Sequence, residues 1–272
     1  MALRHKLLVV LLKYKVIKEG MCMKLFYSFM VYSILGWLLE VVYHLLVEKR
    51  FVNRGFLHGP ICPIYGTTAV LLIIALTNVS NSYIYIFIIG AAIASIVELI
   101  VGYILDAAFS TKWWDYSDEK LNIKGYICLK FSAYWGIISI VFMKIINPAI
   151  SKIIYWITDK SNNIISAAIL TILAADIILT INSLIAFRKL FAEIQEVLVE
   201  IRSNMDKLVT ARINKENISN IHKRIEYLRE VKEKLVLKIN LRQKGLLRAY
   251  PHMNSNKFGS AIEEIKRKIK KL

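Results

Sequence analysis

Glu40 and His44 lie four residues apart within "MKLFYSFMVYSILGWLLEVVYHLLV" at 23–47. In a helix that spacing puts both on one face, beside Trp37 and Tyr43. An ionisable group at membrane depth costs about 2.5–3.5 kcal/mol on insertion scales, so it normally faces a cavity or a partner. Glu40 is therefore a substrate- or ion-binding candidate, with His44 secondary to it. The competing reading is an interfacial pair that snorkels towards Glu48 and Lys49. Glu98 lies mid-segment with no charged residue within seven positions on either side. It must find a partner elsewhere, with Arg54, Glu40 and water considered, or stay protonated. Asp106 follows a little over two turns later and ranks below Glu98. Asp176, close to Thr171, Thr180 and Asn182, reads equally as a proton site or as a helix-packing hydrogen bond.

Two polar stretches complete the candidate set. "NRGFLHGPICPIYG" at 53–66 holds three glycines and two prolines, which prevent a regular helix start. The freed backbone groups need a water-filled or protein-buried mouth. Arg54 is its charged element, permanently ionised and carrying five donors, suited to an anion or to gating against an acid. Asn53, His58 and Tyr65 are secondary candidates in the same stretch. "WWDYS" at 113–117 combines Trp114 and Tyr116, which favour the headgroup layer, with Asp115. Asp115 reads either as a solvated acid or as an ion-pair partner for Arg54. No Walker A, G-x-S-x-G, H-E-x-x-H or dinucleotide fingerprint occurs, so no catalytic residue, metal or cofactor is assigned. Any ATP-driven step would need a nucleotide site on another chain.

These residues need positioning elements, and the composition says which. The 272 residues are 56% hydrophobic with a net charge of +17, too apolar for an ordinary soluble domain. Apolar runs at about 23–47, 61–77, 83–109, 126–146 and 164–187 predict an all-α, polytopic membrane protein with about five crossings. The run at 61–77 is marginal and admits a re-entrant reading, which would leave four crossings. Pro148 is expected to end the fourth run. Near Arg188 the pattern switches to charged helical periodicity. The chain thus divides into 1–22, 23–187 as the transmembrane domain, and 188–272 as a basic helical tail. Cys22, Cys62 and Cys128 form no disulfide framework and read as core thiols.

The tail carries 21 of the 37 Lys and Arg residues against 10 acids. No zinc spacing, RNP aromatic motif or helix-turn-helix accompanies the charge, which points to an anionic inner leaflet rather than nucleic acid. Leu190, Ile194, Val197, Ile201, Met205 and Leu208 form one stripe, and Ile218, Ile221, Ile225, Leu228, Val231, Leu235 and Ile239 a second. Joined at "NKEN" (214–217), they predict a cytoplasmic helical hairpin, with homo-oligomerisation through either seam as the rival use. "SAIEEIKRKIKKL" at 260–272 reads as a short basic amphipathic helix for the membrane surface or for solvent on one side.

Topology depends on the N-terminus. "KEG" at 18–20 is what an anti-ribosomal purine run would encode, which makes Met21 or Met23 the expected start. A basic amphipathic surface helix is the alternative reading of residues 1–20. With the tail cytoplasmic, inner segments carry ten Lys and Arg and outer ones three, plus Lys24. Residues 1–22 would move five more outside and remove the bias.

The stretches "YSILGWLLEVVYH" (32–44), "NRGFLHGPICPIYG" (53–66), Glu98, "WDYS" (114–117), "NIKG" (122–125) and "LLRAYPHM" (246–253) together resemble the bacterial family labelled putative ABC-transporter type IV, or CmpB-like. The resemblance runs from Met23 to the "RAYP" region. It implies an integral membrane permease component and marks Glu40, Asn53, Arg54, Gly55, Gly59, Pro60, Pro63, Tyr65, Gly66, Trp114, Asp115, Tyr116 and Ser117 as motif positions, without assigning roles. The leading expectation is a bacterial inner-membrane, permease-like protein with a polar site of Glu40, Arg54, Glu98 and Asp115. Its partners would be the lipid bilayer, a separate ATPase subunit or another copy of itself. The alternatives are a membrane-embedded enzyme acting on lipid or envelope precursors, and a scaffold working through the tail.

Overall fold

The computed structural model describes residues 2–49, 51, 53–77, 82–210 and 215–271, without the side chains of 2–19, 48, 210, 215, 216, 270 and 271. The apolar runs form helices throughout, their many Ile and Val residues included: α1 (Ala2–Glu48), α2 (Pro63–Leu76), α3 (Tyr83–Phe109), α4 (Leu129–Val141), α5 (Asn147–Lys160), α6 (Asn163–Thr210), α7 (Lys215–Leu237), α8 (Leu241–Ala249) and α9 (Gly259–Lys271). The fold is all-α, as expected. Two-residue strands β1 (Asn122–Ile123) and β2 (Ile127–Cys128) pair antiparallel in the loop before α4.

Among the described residues, four helical stretches are long and apolar enough to cross a membrane: Gly20–Val47, Tyr83–Phe109, Leu129–Lys160 and Asn163–Val209. The fifth apolar segment, α2, has only 14 residues. At 1.5 Å per residue it covers about 21 Å, less than a hydrocarbon core of about 30 Å. Its first turn carries Pro63, which costs no hydrogen bond at a helix start. The chain meanders, so residues 53–62, the 110–128 loop and the tail gather at one end of the bundle. At the other end Tyr27 Oη bonds Ser166 Oγ at 2.8 Å and also meets Ser161.

One local expectation changes and another is narrowed to one of its two readings. Pro148 does not end the fourth run, because a π-helical turn, Phe142–Ile146, joins α4 to α5 and carries the helix on to Lys160. The wider turn takes up the break that proline would otherwise force. The amphipathic helix α9 fits the reading with solvent on one side, because its apolar face is covered within the chain while Glu263 and Arg267 stay exposed. Ala261, Ile262, Ile265 and Ile269 are buried in a cluster with Phe187, Phe191 and Ile194 of α6. Gln195 Oε1 accepts the Ala261 N–H at 3.0 Å, satisfying an early donor of α9.

Helices α6 and α7 lie side by side: Arg224 Nη2 meets Glu200 Oε1 at 2.8 Å, and Leu235 and Val236 share the α6 cluster. Residues 211–214, at their junction, fall outside the described set. The same cluster takes in α8 through Leu246 and Leu247, and the membrane domain through Leu105, Trp113 and Leu184. The tail is therefore packed onto the bundle. An Asn240–Gln243 capping box starts α8, whose last residue, Ala249, and C-cap, Tyr250, reach the site.

Candidate functional site

Helix α1 presents Glu40 at the bundle end where the 53–62 stretch returns. Arg54 Nη1 donates to Glu40 Oε2 at 3.1 Å, and Tyr65 Oη donates to Glu40 Oε1 at 2.5 Å. His44 Nε2 lies 3.9 Å from Glu40 Oε2. Both carboxylate oxygens are thus engaged. The Tyr65 ring reaches this position because residue 36 is glycine: a Cβ there would overlap the ring. Asn53 shapes the approach, its Oδ1 accepting from Trp37 Nε1 at 2.8 Å and from the Gly55 N–H at 2.9 Å.

Arg54 is shared with the tail. Its Nε donates to the Ala249 carbonyl at 2.7 Å, Nη2 donates to the same oxygen, and its guanidinium lies 5.3 Å from the centroid of the Tyr250 ring. Tyr250 in turn packs edge-on to Trp113 at 4.9 Å. Burial lifts the Tyr250 phenol above its usual range, and nearby Cys62 and Glu40 add to the rise while Arg54 opposes it. Tyr250 is therefore a neutral wall behind the ion pair.

Glu98 of α3 is buried. Tyr116 Oη donates to its Oε1 at 3.1 Å and Trp135 Nε1 to its Oε2 at 3.1 Å. No cation pairs with Glu98 among the described residues. Trp135 also meets Tyr65 edge-on at 6.2 Å, so one aromatic pair separates the surroundings of the two glutamates. Burial, with Glu98 next in weight, raises the Tyr116 phenol, which keeps it a donor.

The remaining candidates do other work. Asp115 does not reach Arg54; it lies 3.7 Å from Lys112 Nζ and accepts from the Ser117 N–H at 3.1 Å and Ser117 Oγ at 2.5 Å. It folds its own loop against Gly125, whose φ of 75° and lack of a Cβ leave room for the carboxylate. Trp114 Nε1 donates to the Tyr126 carbonyl at 2.9 Å, and Asp106 Oδ2 accepts from Tyr126 Oη at 2.7 Å. Asp176 grips the 53–62 stretch by its backbone, accepting the His58 N–H at 2.7 Å and the Gly59 N–H at 2.8 Å. His58 Nδ1 lies 3.0 Å from Thr180 Oγ1, and Arg242 Nη2 bonds Thr180 Oγ1 and the Phe56 carbonyl. Burial, then Arg242, lower the His58 pKa, against the opposing pull of Asp176.

Trp135, Tyr250, Tyr126, Lys112 and Arg242 are participants that the sequence did not single out. Trp135 carried no sequence signal beyond an aromatic in an apolar run. Tyr250 did, as part of "LLRAYPHM". Its contact with Arg54 joins two residues 196 positions apart, which no local pattern can reveal.

No curated protein and no solved structure matches this chain. A family model does match, over residues 27–181, which include Glu40, Arg54, Tyr65, Glu98, Tyr116 and Trp135. The match stops within α6, so the "RAYP" region lies beyond it. Covering more than half of the 272 residues, it shows that the chain belongs to the membrane-protein family described as "Putative ABC-transporter type IV".

Proposed function

We propose that the protein is the permease-like membrane component of an ABC-type transporter in the bacterial inner membrane, and that its tail closes its polar site. Arg54 supports this reading: one guanidinium bonds the Glu40 carboxylate of a membrane helix and the Ala249 carbonyl of the tail. Moving the tail would free two donors of Arg54 and expose the Glu40 pair. In this reading the tail is cytoplasmic, where a separate ATPase subunit can act on it. The chain itself carries no nucleotide-binding motif.

A second reading draws on the gathering of Glu40, Arg54 and Tyr65 within hydrogen-bond reach at one mouth, as in an enzyme acting on a lipid or envelope precursor. The bonding favours the first. Both Glu40 oxygens and Arg54 Nε, Nη1 and Nη2 already have protein partners. A catalytic base or phosphate clamp needs such groups open to substrate, whereas an occluded gate needs them paired.

Cysteine accessibility tests the gate. In a chain whose three cysteines are replaced by serine, Glu40→Cys should resist a membrane-impermeant thiol reagent while the tail is docked. Adding Tyr250→Ala should make it reactive from the tail side only. A position 40 thiol equally reactive with and without Tyr250 would overturn the gate. If Glu40→Gln, Arg54→Ala and Glu98→Gln all fully complement a deletion phenotype, the site has no role in function and the tail scaffold replaces it.

A further inference from the structure

At the same end of the bundle, away from Glu40, a cleft of about 330 Å³ opens between the end of α3, the 110–128 loop and residues 254–257 of the tail. Its construction is firm. Lys112 and Asn254 exchange backbone hydrogen bonds at 2.8 and 2.9 Å, and Ser255 Oγ donates to the Ser110 carbonyl. Its lining includes two acids, Asp106 and Asp115, and two lysines, Lys112 and Lys257. In a chain of net charge +17 this balance is local. Lys112 is spent on Asp115 and on the Lys124 carbonyl at 2.8 Å. Asp106 and Lys257 make no ion pair among the described residues. Asp106 accepts only the neutral Tyr126 hydroxyl, and Lys257 Nζ lies 5.5 Å from the centroid of the Phe258 ring.

One free acid and one free ammonium in a single cleft match a ligand carrying both charges. An anion alone would engage only Lys257, and a cation alone only the half-buried Asp106, whereas a ligand carrying both charges engages both. The approach to the cleft is apolar. Ile96, Ile100 and Tyr103 are exposed along one face of α3 at spacings of four and three, and Tyr103 and Ala107 continue that face into the cleft wall. An acyl chain lying on that stripe would end with its headgroup between Asp106 and Lys257.

We propose that this cleft binds the zwitterionic headgroup of an aminophospholipid, with the primary ammonium on Asp106 and the phosphate on Lys257. The quaternary ammonium of a choline lipid has no N–H to donate to Asp106, so the cleft discriminates against it. The site is separate from the Glu40 pair and does not depend on how that pair functions.

The test is lipid retention by the full-length protein, measured by native mass spectrometry from micelles doped equally with phosphatidylethanolamine, phosphatidylcholine and phosphatidylglycerol. Phosphatidylethanolamine should be retained about tenfold over either competitor. Asp106→Asn keeps an acceptor for Tyr126 and should reduce the preference to near unity. Lys257→Gln, at an exposed position, should reduce phosphatidylethanolamine retention about tenfold without disturbing the fold. Glycerophosphoethanolamine, which has the headgroup but no acyl chains, should compete only weakly. Competition equal to that of the lipid would retain the headgroup chemistry but reassign the source to a soluble amine phosphate. Wild-type retention of all three lipids in equal amounts, or an unchanged preference in both variants, would overturn the proposal.

Discussion

Two acids on two different helices hold the 53–62 stretch, and they do so by different chemistry. Glu40 of α1 binds side chains, the Arg54 guanidinium and the Tyr65 hydroxyl. Asp176 of α6 binds backbone, the consecutive N–H groups of His58 and Gly59. A backbone grip fixes the path of the chain and cannot be released without unfolding the turn. A side-chain pair can be exchanged, because Arg54 and Glu40 could each turn to another partner without moving the main chain. The contrast assigns Asp176 to holding the mouth and Glu40 with Arg54 to whatever the mouth does.

Asp176→Ala is the severest way to break that contrast. It strands two backbone N–H groups whose acceptor was charged, one of them open to solvent, for a loss of about 2–4 kcal/mol. Chemical denaturation in micelles should show the drop, and the protein should accumulate poorly in the membrane. Asp176→Asn, which keeps one acceptor oxygen, should lose about half as much. If Asp176→Ala proved as stable as wild type yet failed to complement, Asp176 would belong to the functional side of the comparison.

Arg54→Ala and Arg54→Lys come next. The pair is about one-fifth exposed on each side, so solvent screens it, and removing Arg54 should cost about 1–3 kcal/mol. Loss of function should exceed that loss of stability. Lysine keeps the charge but lacks the fork that reaches Glu40 and Ala249 together, so Arg54→Lys should fold and still fail to complement. Limited proteolysis of the tail should accelerate in both variants. A lysine variant with full function would show that charge alone suffices and that the link to the tail is incidental.

Tyr250 gives a smaller and more selective effect. Tyr250→Ala removes the ring beneath Arg54 and its edge contact with Trp113, worth about 1–2 kcal/mol. Tyr250→Phe removes only a 3.4 Å hydrogen bond to the Arg54 carbonyl and should be close to neutral in the proteolysis assay.

Much of this arrangement was legible in the sequence because the bilayer makes polar residues conspicuous. Glu40, Arg54 and Glu98 stood out against apolar surroundings, and "NRGFLHGPICPIYG" announced a non-helical mouth, which the structure shows over residues 53–62 before α2 starts regularly at Pro63. Pairings were not legible. Arg54 had three acids to choose from, Glu40, Glu98 and Asp115, and the structure engages Glu98 with Tyr116 and Trp135 and Asp115 with Lys112 and Ser117. Asp176 looked like any polar residue in a helix, since nothing in α6 records that two backbone donors 117 and 118 residues away will meet it. The tail was harder still. The amphipathic pattern of α9 left a membrane surface open as its cover, whereas α6 of the same chain covers its apolar face.

The mildest test uses pH, and it acts on the Asp176 side alone. Burial and Arg242 lower the His58 pKa in the folded protein relative to its value of about 6.5 in an unfolded chain. A histidine with a depressed folded pKa binds more protons when unfolded. It therefore favours the folded state above about pH 6.5, and that advantage is lost as pH falls through the folded value. Acidification from pH 7.5 to 5.5 should thus loosen the 53–62 stretch near Gly59, read as faster hydrogen exchange at His58 and Gly59. The change should be small, because His58 is more than one-third exposed and Asp176 partly offsets its protonation. His58→Gln should remove this part of the pH dependence while leaving the Arg54–Glu40 pair and the tail contact unaltered. If acid loosened the tail at Arg54 as readily as the turn at Gly59, the two sides of the mouth would be one coupled unit, and the division between holding and acting would fail.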